Sequence, residues 1–462
     1  MLSNILSRRE ILKTTSCGFG YLALSSLFGQ AVRAATSEQH PLAAKKPHFT
    51  PRAKRVIFMF MQGGPSHVDT FDYKPALTRD DGKAPTETGG KANRKLMKSP
   101  WKFSPSGQSG LMISELFPNL AQHADELCLL NSMATDLPNH PQAAVQLHTG
   151  SFQFVRPSVG AWVLYGLGTE NQELPGFITI NPITRVGGAV NFGSSFLPAP
   201  FQGTPIGGEG QSLVNAAIPN IANRELTREQ QRQQLDLLQS INRDRLSQDK
   251  VNSELEGVIE SYELAFRMQS AVPKIMDFKG ESASTLAAYG IGSGQTDNFG
   301  RQCLMARRFA ESGVRFIELG HAGWDHHNNL HNRLTANCNQ VDQPIAALLA
   351  DLKQRDMLKD TLVVWGGEFG RTPHAQNADG RDHNAVGYSM WLAGGGVKGG
   401  IRHGATDEHG IRSVEKKVHV HDLHATILHL LGLDHERLTY RYSGRDFRLT
   451  DVHGNVPKEI LA

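Results

Sequence analysis

Acidic and imidazole side chains gather in four short segments of this 462-residue chain, and each segment also contains glycine. Carboxylates and imidazoles bind divalent ions such as zinc and manganese, and carboxylates also bind calcium. Flanking glycines let the backbone turn, so side chains from separate segments can converge. We therefore expect a site for zinc, manganese or calcium, with a hydrogen-bonded polar cluster as the alternative. The candidate ligands are His67, Asp69, Asp325, His327, Glu368 and His383.

Two arginines lie in the same segments, Arg371 and Arg381. A guanidinium group is planar and can donate two parallel hydrogen bonds to a carboxylate, sulfate or phosphate. Both arginines are therefore candidates for neutralising an anion that leaves during catalysis.

These segments adjoin unbroken apolar runs of strand length, and helical patterns lie between the runs. Alternating strands and helices predict an α/β fold with a doubly wound, mostly parallel sheet. Ligands of such sheets bind beyond the carboxyl ends of the strands, which is where the metal site is expected. The predicted strands span residues 55–61, 127–130, 314–319, 361–365 and 388–393.

Residues 219–272 differ from the rest, because they are charged, rich in glutamine and nearly free of glycine and proline. They predict a helical insertion of two amphipathic helices, with Thr227 and Gln230 forming a capping box. A solvated face is the expected role of this insertion, and a protein-docking surface is the alternative.

The first 34 residues have the features of a twin-arginine export signal. Arg8 and Arg9 precede a 12-residue apolar run, residues 17–28, and small residues before Ala35 suit a signal-peptidase cut. The run is shorter than the roughly 20 residues of a membrane span, so no stable membrane anchor is expected. The sequence therefore predicts export by the twin-arginine machinery, so that the protein is periplasmic or secreted. It also predicts a linker at 35–53 and one domain at 54–462.

Composition and charge exclude several classes of protein. The formal net charge is +3, and removal of the signal would bring it to zero, so nothing indicates nucleic-acid binding. With 20% charged and 39% hydrophobic residues the chain is neither disordered nor collagen-like. Three cysteines remain after the signal, Cys128, Cys303 and Cys338, which allow at most one disulfide.

Five ordered motifs resemble a known bacterial family. GGPSHVDTFD at 63–72, GWDHH at 323–327, GEFGRTP at 367–373, GRDHN at 380–384 and LAGGGVKGG at 392–400 are similar to the signatures of the exported family named domain of unknown function 1501. That family in turn resembles the alkaline phosphatase and sulfatase superfamily. The resemblance implies a doubly wound α/β fold with metal at the strand ends, and hydrolysis of phosphate or sulfate esters.

The superfamily resemblance also implies roles for single residues. Asp325, His327 and His383 resemble the ligands of one metal position. Glu368 stands at a ligand aspartate of the other, while Phe369 falls where that pattern has histidine. Glu368 would then either complete the first ion or hold a second one, together with Asp69 or His67 from the first segment.

The nucleophile of the superfamily is missing. Segment 139–150 resembles the sulfatase segment Cys-x-Pro-Ser-Arg, but Asn139 or His140 occupies the nucleophile position. Three accounts stay open: attack by activated water, a role for His140 as acceptor or general acid, or binding without turnover. Ser66 is a substitute nucleophile in principle, although a turn hydroxyl is its expected role.

These inferences predict a periplasmic metal-dependent hydrolase that acts on a sulfate or phosphate ester of a small molecule or polysaccharide. The alternative is a non-catalytic module of the same fold that binds anionic glycans or a protein partner. Four further histidines are expected only to cap or line a helix: His419, His421, His424 and His429.

Overall fold

A computed structural model describes residues 41–85, 94–215, 225–248 and 253–462, apart from the side chains of 215, 245–248 and 253–256. The predicted signal peptide, 1–34, and the start of the predicted linker, 35–40, lie outside these residues. The described strands are β1 Arg55–Met61, β2 Phe103–Ser106, β3 Leu111–Ser114, β4 Leu127–Ala134, β5 Phe177–Ile180, β6 Thr204–Ile206, β7 Phe316–His321, β8 Thr361–Gly366, β9 Gly370–Gln376, β10 Gly380–Asn384, β11 Tyr388–Ala393, β12 Ile401–His403, β13 Ala405–Thr406, β14 Ser413–Glu415, β15 Val418–His419, β16 Tyr440–Tyr442 and β17 Arg445–Phe447.

Ten α-helices lie in the described ranges. They are α1 His67–Thr70, α2 Pro75–Arg79, α3 His140–Thr149, α4 Val159–Leu167, α5 Arg228–Gln248, α6 Ser253–Met276, α7 Ala283–Ala288, α8 Asp297–Glu311, α9 Leu330–Gln354 and α10 Val420–Leu430.

One large sheet organises the domain. Its strands follow the order β12-β4-β11-β8-β1-β7-β5-β6, and β15 also pairs with β4. Every pairing is parallel except those of β11, which runs antiparallel to both β4 and β8. The predicted α/β class with a mostly parallel sheet is therefore confirmed.

The central strand β1 shows why these runs form a covered sheet. Residues 56–61 are all apolar, and each is at most 4% exposed. Successive side chains of a strand point to opposite faces, so both faces of the sheet are covered. An apolar run without alternation is stable only in such a position.

Parallel pairing brings four loops to one edge of the sheet. Because β1, β4, β7 and β8 run in the same direction, the segments that follow them emerge together. Beside them the antiparallel hairpin β9–β10 adds a second group of polar side chains. This edge is where the sequence places the candidate ligands.

The helical insertion consists of α5 and α6. The backbone N–H of Thr227 donates to Gln230 Oε1 at 2.9 Å, and the N–H of Gln230 donates to Thr227 Oγ1 at 3.2 Å, which is the predicted capping box. Met268 and Val272 of α6 are buried in the main core. Leu237 and Ile241 of α5 are 64% and 57% exposed, so much of α5 faces solvent.

Residues 41–53 are part of the packed domain, not the linker that their composition predicts. Leu42 and Ala53 are each 1% exposed. The N–H of Lys45 donates to the carbonyl of Leu167, and the N–H of Arg52 donates to that of Leu430. Backbone hydrogen bonds to two helix ends hold this segment in place, which a count of Pro, Lys and His does not reveal.

Two further properties concern the described residues alone. Cys128, Cys303 and Cys338 are buried free thiols. None of the helices described combines the length and the apolar character needed to cross a membrane.

Acidification is expected to destabilise the protein through His424, which is 1% exposed. Burial, with the nearby imidazoles of His421, His148 and His419, lowers its pKa to about 3. The unfolded chain protonates this group below about pH 6.5, whereas the folded chain does not, so its contribution to stability is complete above 6.5 and is lost as pH falls towards 3. Urea unfolding at pH 7.5 and 5.5 should show a loss about 1 kcal/mol larger in wild type than in His424→Gln. Equal losses in both proteins would contradict the assignment.

Candidate metal centre

Four side chains converge where the parallel strands end. His140 begins α3 after β4, Asp325 and His327 follow β7, and His383 lies on β10. One ligand atom from each lies within 4.8 Å of the others. The structure thus brings together Asp325, His327 and His383, which the sequence proposed as ligands, and adds His140, which it proposed for catalysis.

The carboxylate oxygen Oδ1 of Asp325 is the centre of this cluster. His327 Nε2 lies 2.8 Å from it, His140 Nε2 3.2 Å and His383 Nε2 3.3 Å. The Nε2 atoms of His327 and His383 are 2.9 Å apart. All three imidazoles therefore turn the same ring nitrogen towards one point.

Acceptors on the far side of each ring fix this orientation. His140 Nδ1 donates to Glu368 Oε1 at 2.6 Å, and His383 Nδ1 donates to the carbonyl of Pro138 at 2.8 Å. His327 Nδ1 contacts Gln376 Oε1. A neutral imidazole has one proton, so a proton on Nδ1 leaves the lone pair on Nε2. With each ring neutral, three Nε2 lone pairs would face one carboxylate, which fits a bound cation, and acceptors behind metal-binding histidines are typical of metal sites.

Glu368 accepts a hydrogen bond from the far side of the His140 ring. It is therefore not the ligand that its position in the sequence suggests. Its side chain has no exposed surface, and its two oxygens accept the backbone N–H of Gly63 at 3.0 and 3.1 Å. Gly63 has a φ of +117°, and a Cβ there would lie 2.5 Å from the backbone nitrogen of Asp325. Glycine is therefore required at this close crossing of two loops.

The charges of the cluster are strongly coupled. Burial opposes a proton on His140, but the hydrogen bonds to Asp325 and Glu368 outweigh it and raise the pKa of His140 to about 9. Burial likewise disfavours the charged form of Asp325, yet His140, His383 and Arg371 hold the pKa of its carboxyl group far below its usual range. A divalent ion that enters the cluster at neutral pH would therefore displace a proton from His140.

Arg371 neutralises Asp325, which corrects its assignment as a donor to a leaving anion. It is fully buried, and its Nη2 lies 2.5 Å from Asp325 Oδ1. Its Nε donates to the carbonyl of Gly64 at 3.0 Å, and its Nη1 donates to that of Arg381 at 3.2 Å. These bonds hold the guanidinium group under the ligand cluster and leave it no open face.

Arg381 and Asp69 form a buried ion pair, so neither has its predicted role in binding anion or metal. Nε and Nη2 of Arg381 lie 2.6 and 3.0 Å from the two carboxylate oxygens of Asp69, and both side chains are fully buried. Ser66 Oγ also donates to Asp69, at 2.5 Å. This hydroxyl therefore has the structural role expected for it. The remaining donors of Arg381 bind backbone carbonyls, including that of Met97 at 3.0 Å.

His67 also lies outside the cluster. It is 1% exposed, and its Nε2 donates to the carbonyl of Gly410 at 2.9 Å. His67 is not among the ligand atoms that gather around Asp325, and this backbone contact takes the place of the predicted metal bond.

An aromatic ring lies against one side of the centre. The ring of Phe369 is 4.7 Å from that of His140 and 4.6 Å from that of His383, centroid to centroid. It stands where the superfamily pattern has a histidine ligand. An apolar ring in this place offers no ligand for a second ion.

Two of the supporting contacts had no signal in the sequence. Gln376 and the carbonyl of Pro138 lie in segments without a recognisable motif. Gly63 did carry a signal, since it opens the first motif. The only hint of Gln376 in the sequence is that it is a polar residue five positions after Arg371.

Glu368→Gln should weaken metal binding without abolishing it. The amide can still accept from Gly63 but no longer presents a charged acceptor to His140, and loss of such an outer partner typically costs about 10–100-fold in metal affinity. Competition for zinc with a chromophoric chelator measures the change, with the exposed variant Glu173→Gln as control. Complete loss of the ion would instead make Glu368 a ligand.

Several solved structures are similar to this chain at low sequence identity. Ps i-CgsB, in complex with k-i-k-neocarrahexaose, is 12% identical with a TM-score of 0.38, and 84% of this chain and 72% of that chain are covered. The sulfatase PsFucS1 from Pseudoalteromonas sp. is 14% identical with a TM-score of 0.37, covering 90% and 72%. The alkaline phosphatase of the Antarctic bacterium TAB5 is 11% identical with a TM-score of 0.31, covering 75% and 92%. Likeness at this level concerns the fold and says nothing about activity.

The family comparison is more specific. No curated protein matches the sequence. The profile of a family described as protein of unknown function (DUF1501) matches residues 53–461. Because this match spans nearly the whole described domain and confirms the resemblance of the five motifs, the chain belongs to the DUF1501 family.

Proposed function

We propose that this protein is a metal-dependent hydrolase of sulfate or phosphate esters. The observation that carries the proposal is the convergence of three imidazole Nε2 atoms on Asp325 at the carboxyl edge of a parallel sheet. Such an edge is the usual ligand site of an open α/β sheet.

His140, Asp325, His327 and His383 would hold the ion. Three nitrogen donors and one carboxylate suit zinc or manganese better than calcium, which takes oxygen ligands. A divalent ion in this place supplies Lewis-acid stabilisation of the negative charge that develops on an ester oxygen.

The chain's own residues prepare the site for an anion. Arg371 compensates the charge of Asp325, so an ion bound there would keep most of its charge available for an anionic ester. Glu368 keeps the Nδ1 proton of His140 on the far side of the ring. Asp325 has a side chain that is 38% exposed, which leaves the cluster open to solvent on one side.

Water from the solvent is the proposed nucleophile. The hydroxyl of Ser66 is buried and donates to Asp69, and His140 belongs to the ligand cluster. Asn139, the other residue at the superfamily's nucleophile position, has an exposed amide that is not a usual phosphate or sulfate acceptor.

Substrate and location extend the proposal beyond the described residues. The twin-arginine pattern in residues 1–34 supports a periplasmic or secreted location, and the esters we propose there belong to small molecules or polysaccharides. A reporter fused behind residues 1–40 tests the export route. The reporter should be exported with the native sequence, and export should fail in the matched control that carries Arg8→Lys and Arg9→Lys together.

Metal analysis and an ester panel test the activity. Protein purified from the periplasm should contain one equivalent of zinc or manganese and should hydrolyse at least one aryl sulfate or aryl phosphate. Chelation should abolish turnover, and return of the ion should restore it. No turnover on any ester by the metal-loaded protein would reject the hydrolase.

One observation favours a second candidate, a non-catalytic module that binds anionic glycans. Four protein ligands are the set typical of structural zinc, whereas catalytic zinc usually has three. In that case the loaded protein should bind sulfated or phosphorylated glycans without releasing sulfate or phosphate.

A further inference from the structure

Three segments that lie far apart in the chain form an aromatic surface. Its members are Phe154 and Arg156 on the loop between α3 and α4, Phe196 on the loop between β5 and β6, and Tyr442 and Phe447 of the hairpin β16–β17. Phe154 and Tyr442 are 61% and 48% exposed. Single exposed apolar side chains are common on proteins, whereas a contiguous exposed group marks a binding surface.

Contacts between the side chains make this surface continuous. The ring of Phe196 is stacked on that of Tyr442, with 5.1 Å between centroids and an interplanar angle of 17°, and it lies 5.1 Å from that of Phe447. Arg156 Cζ lies 4.2 Å from the ring centroid of Phe447 and 5.4 Å from that of Phe154. The guanidinium group is therefore held by cation–π contacts with two aromatic rings.

Hydrogen bonds fix the three segments in place. Ser195 Oγ, next to Phe196, donates to the carbonyl of Val155 at 3.2 Å. The hydroxyl of Tyr165 on α4 donates to the carbonyl of Thr439, just before the hairpin, at 2.8 Å. A ligand that binds to a surface with its parts already positioned loses less conformational entropy than one that must order them.

Arg156 is a cation of this surface without an opposite partner. It is half-buried, and among the described residues it forms neither a hydrogen bond nor an ion pair. The nearby carboxylate of Asp451 is paired with Arg445 at 2.5 Å. A guanidinium group has five N–H donors in a planar fork that matches the oxygens of sulfate and phosphate. Arg156 is therefore suited to bind one anionic group.

Flat apolar rings around one unpaired guanidinium group favour an anionic polysaccharide as the ligand. One face of a sugar ring carries mainly C–H groups, which pack on an aromatic ring, while a sulfate or phosphate group at its edge can reach an arginine. A nucleic acid would instead bring a negative charge with every nucleotide. Arg441 and Arg445 are already paired with Asp446 and Asp451, so the described surface does not offer the row of unpaired cations that a nucleic acid requires.

We propose that the aromatic surface binds an anionic polysaccharide. Sugar rings pack on Tyr442 and Phe154, and a sulfate or phosphate group accepts hydrogen bonds from Arg156. The surface shares no residue with the candidate metal centre, since His140 and Thr149 lie at opposite ends of α3, roughly 14 Å apart at 1.5 Å per residue. The proposal does not depend on ester hydrolysis, because a chain that binds without turnover would use the surface in the same way.

Binding to matched dextrans tests the surface. In affinity electrophoresis the full mature chain should be retarded by dextran sulfate or dextran phosphate, and much less by unmodified dextran. Retardation by either charged dextran supports the site and identifies its anion. Arg156→Gln should weaken this binding about tenfold or more, because a charge-assisted contact is lost. Tyr442→Ala should also weaken it, since the exposed ring on which a sugar packs is removed.

Arg402→Gln is the matched control, because Arg402 is exposed and lies on β12, at the opposite end of the sheet from β6. This variant loses the same charge and should bind as wild type does. An equal loss in both arginine variants would mean unspecific attraction and would overturn the site, as would unchanged binding in both Arg156→Gln and Tyr442→Ala. A wild-type dimer that Tyr442→Ala separates in light scattering would also overturn it, since a second copy would then cover the surface.

Zinc content and aryl-ester hydrolysis distinguish this proposal from the hydrolase proposal. Both should be unchanged in Arg156→Gln and Tyr442→Ala, and an unchanged Tm would show that these variants fold. Protein that binds a charged dextran but hydrolyses no ester would reject only the hydrolase. Protein that hydrolyses an aryl ester but binds neither charged dextran would reject only the polysaccharide site.

Discussion

His327→Gln should remove the ion from the candidate metal centre. The substitution deletes one of three converging imidazole nitrogens and, because His327 is partly exposed, leaves no buried charge behind. Loss of a ligand should exceed the roughly 10–100-fold effect of losing an outer contact. Metal analysis of the purified variant should therefore show loss of the ion from this centre, with ester hydrolysis lost as well.

His331→Gln is the matched control for this experiment. His331 is exposed, stacks on Trp101 and lies only four residues along the chain. It should keep both the ion and the activity. Retention of the centre's ion by His327→Gln would mean that the cluster around Asp325 is a hydrogen-bonded network, and the hydrolase proposal would lose its main support.

Asp69→Asn should cause the largest loss of stability while leaving the ion bound. The change removes the negative partner of Arg381, which is buried with no exposed surface. An uncompensated buried guanidinium group typically costs about 3–5 kcal/mol. Urea unfolding at neutral pH measures the loss, and metal analysis of the folded variant should still find the ion of the centre.

Asp446→Asn serves as the control, because Asp446 pairs with Arg441 at 3.1 Å in a bridge that is more than half exposed on both sides. A pair of this kind contributes at most about 1 kcal/mol. If Asp69→Asn instead lost the ion with little change in stability, Asp69 would return to the metal site as the sequence suggested.

The architecture of the sheet could be predicted well from the sequence. The runs at 55–61 and 388–393 are strands with the same bounds, and the others differ from the predicted bounds by one to four residues. Runs of uninterrupted apolar residues have few alternatives, since they need cover on both faces. The same reasoning predicted the edge of the sheet at which the site lies, because the loops that follow parallel strands emerge on the same side.

Individual roles at the site could not be predicted in the same way. Glu368 and His140 both follow strands that end at this edge, and only the packing shows that His140 faces the centre while Glu368 lies behind it. Asp69 and Arg381 are 312 positions apart, so their pairing has no trace in local sequence. A carboxylate looks the same in a sequence whether it binds a metal or an arginine.

Local sequence thus determined which segments form strands and which polar residues reach the edge of the sheet, because hydrophobic burial depends on patterns within a few residues. Tertiary structure decided which of those residues face the centre, which neutralise one another and which hold the rings of others. Those choices depend on ångström-scale distances between residues far apart in the chain, and the interaction of charges changes steeply over such distances.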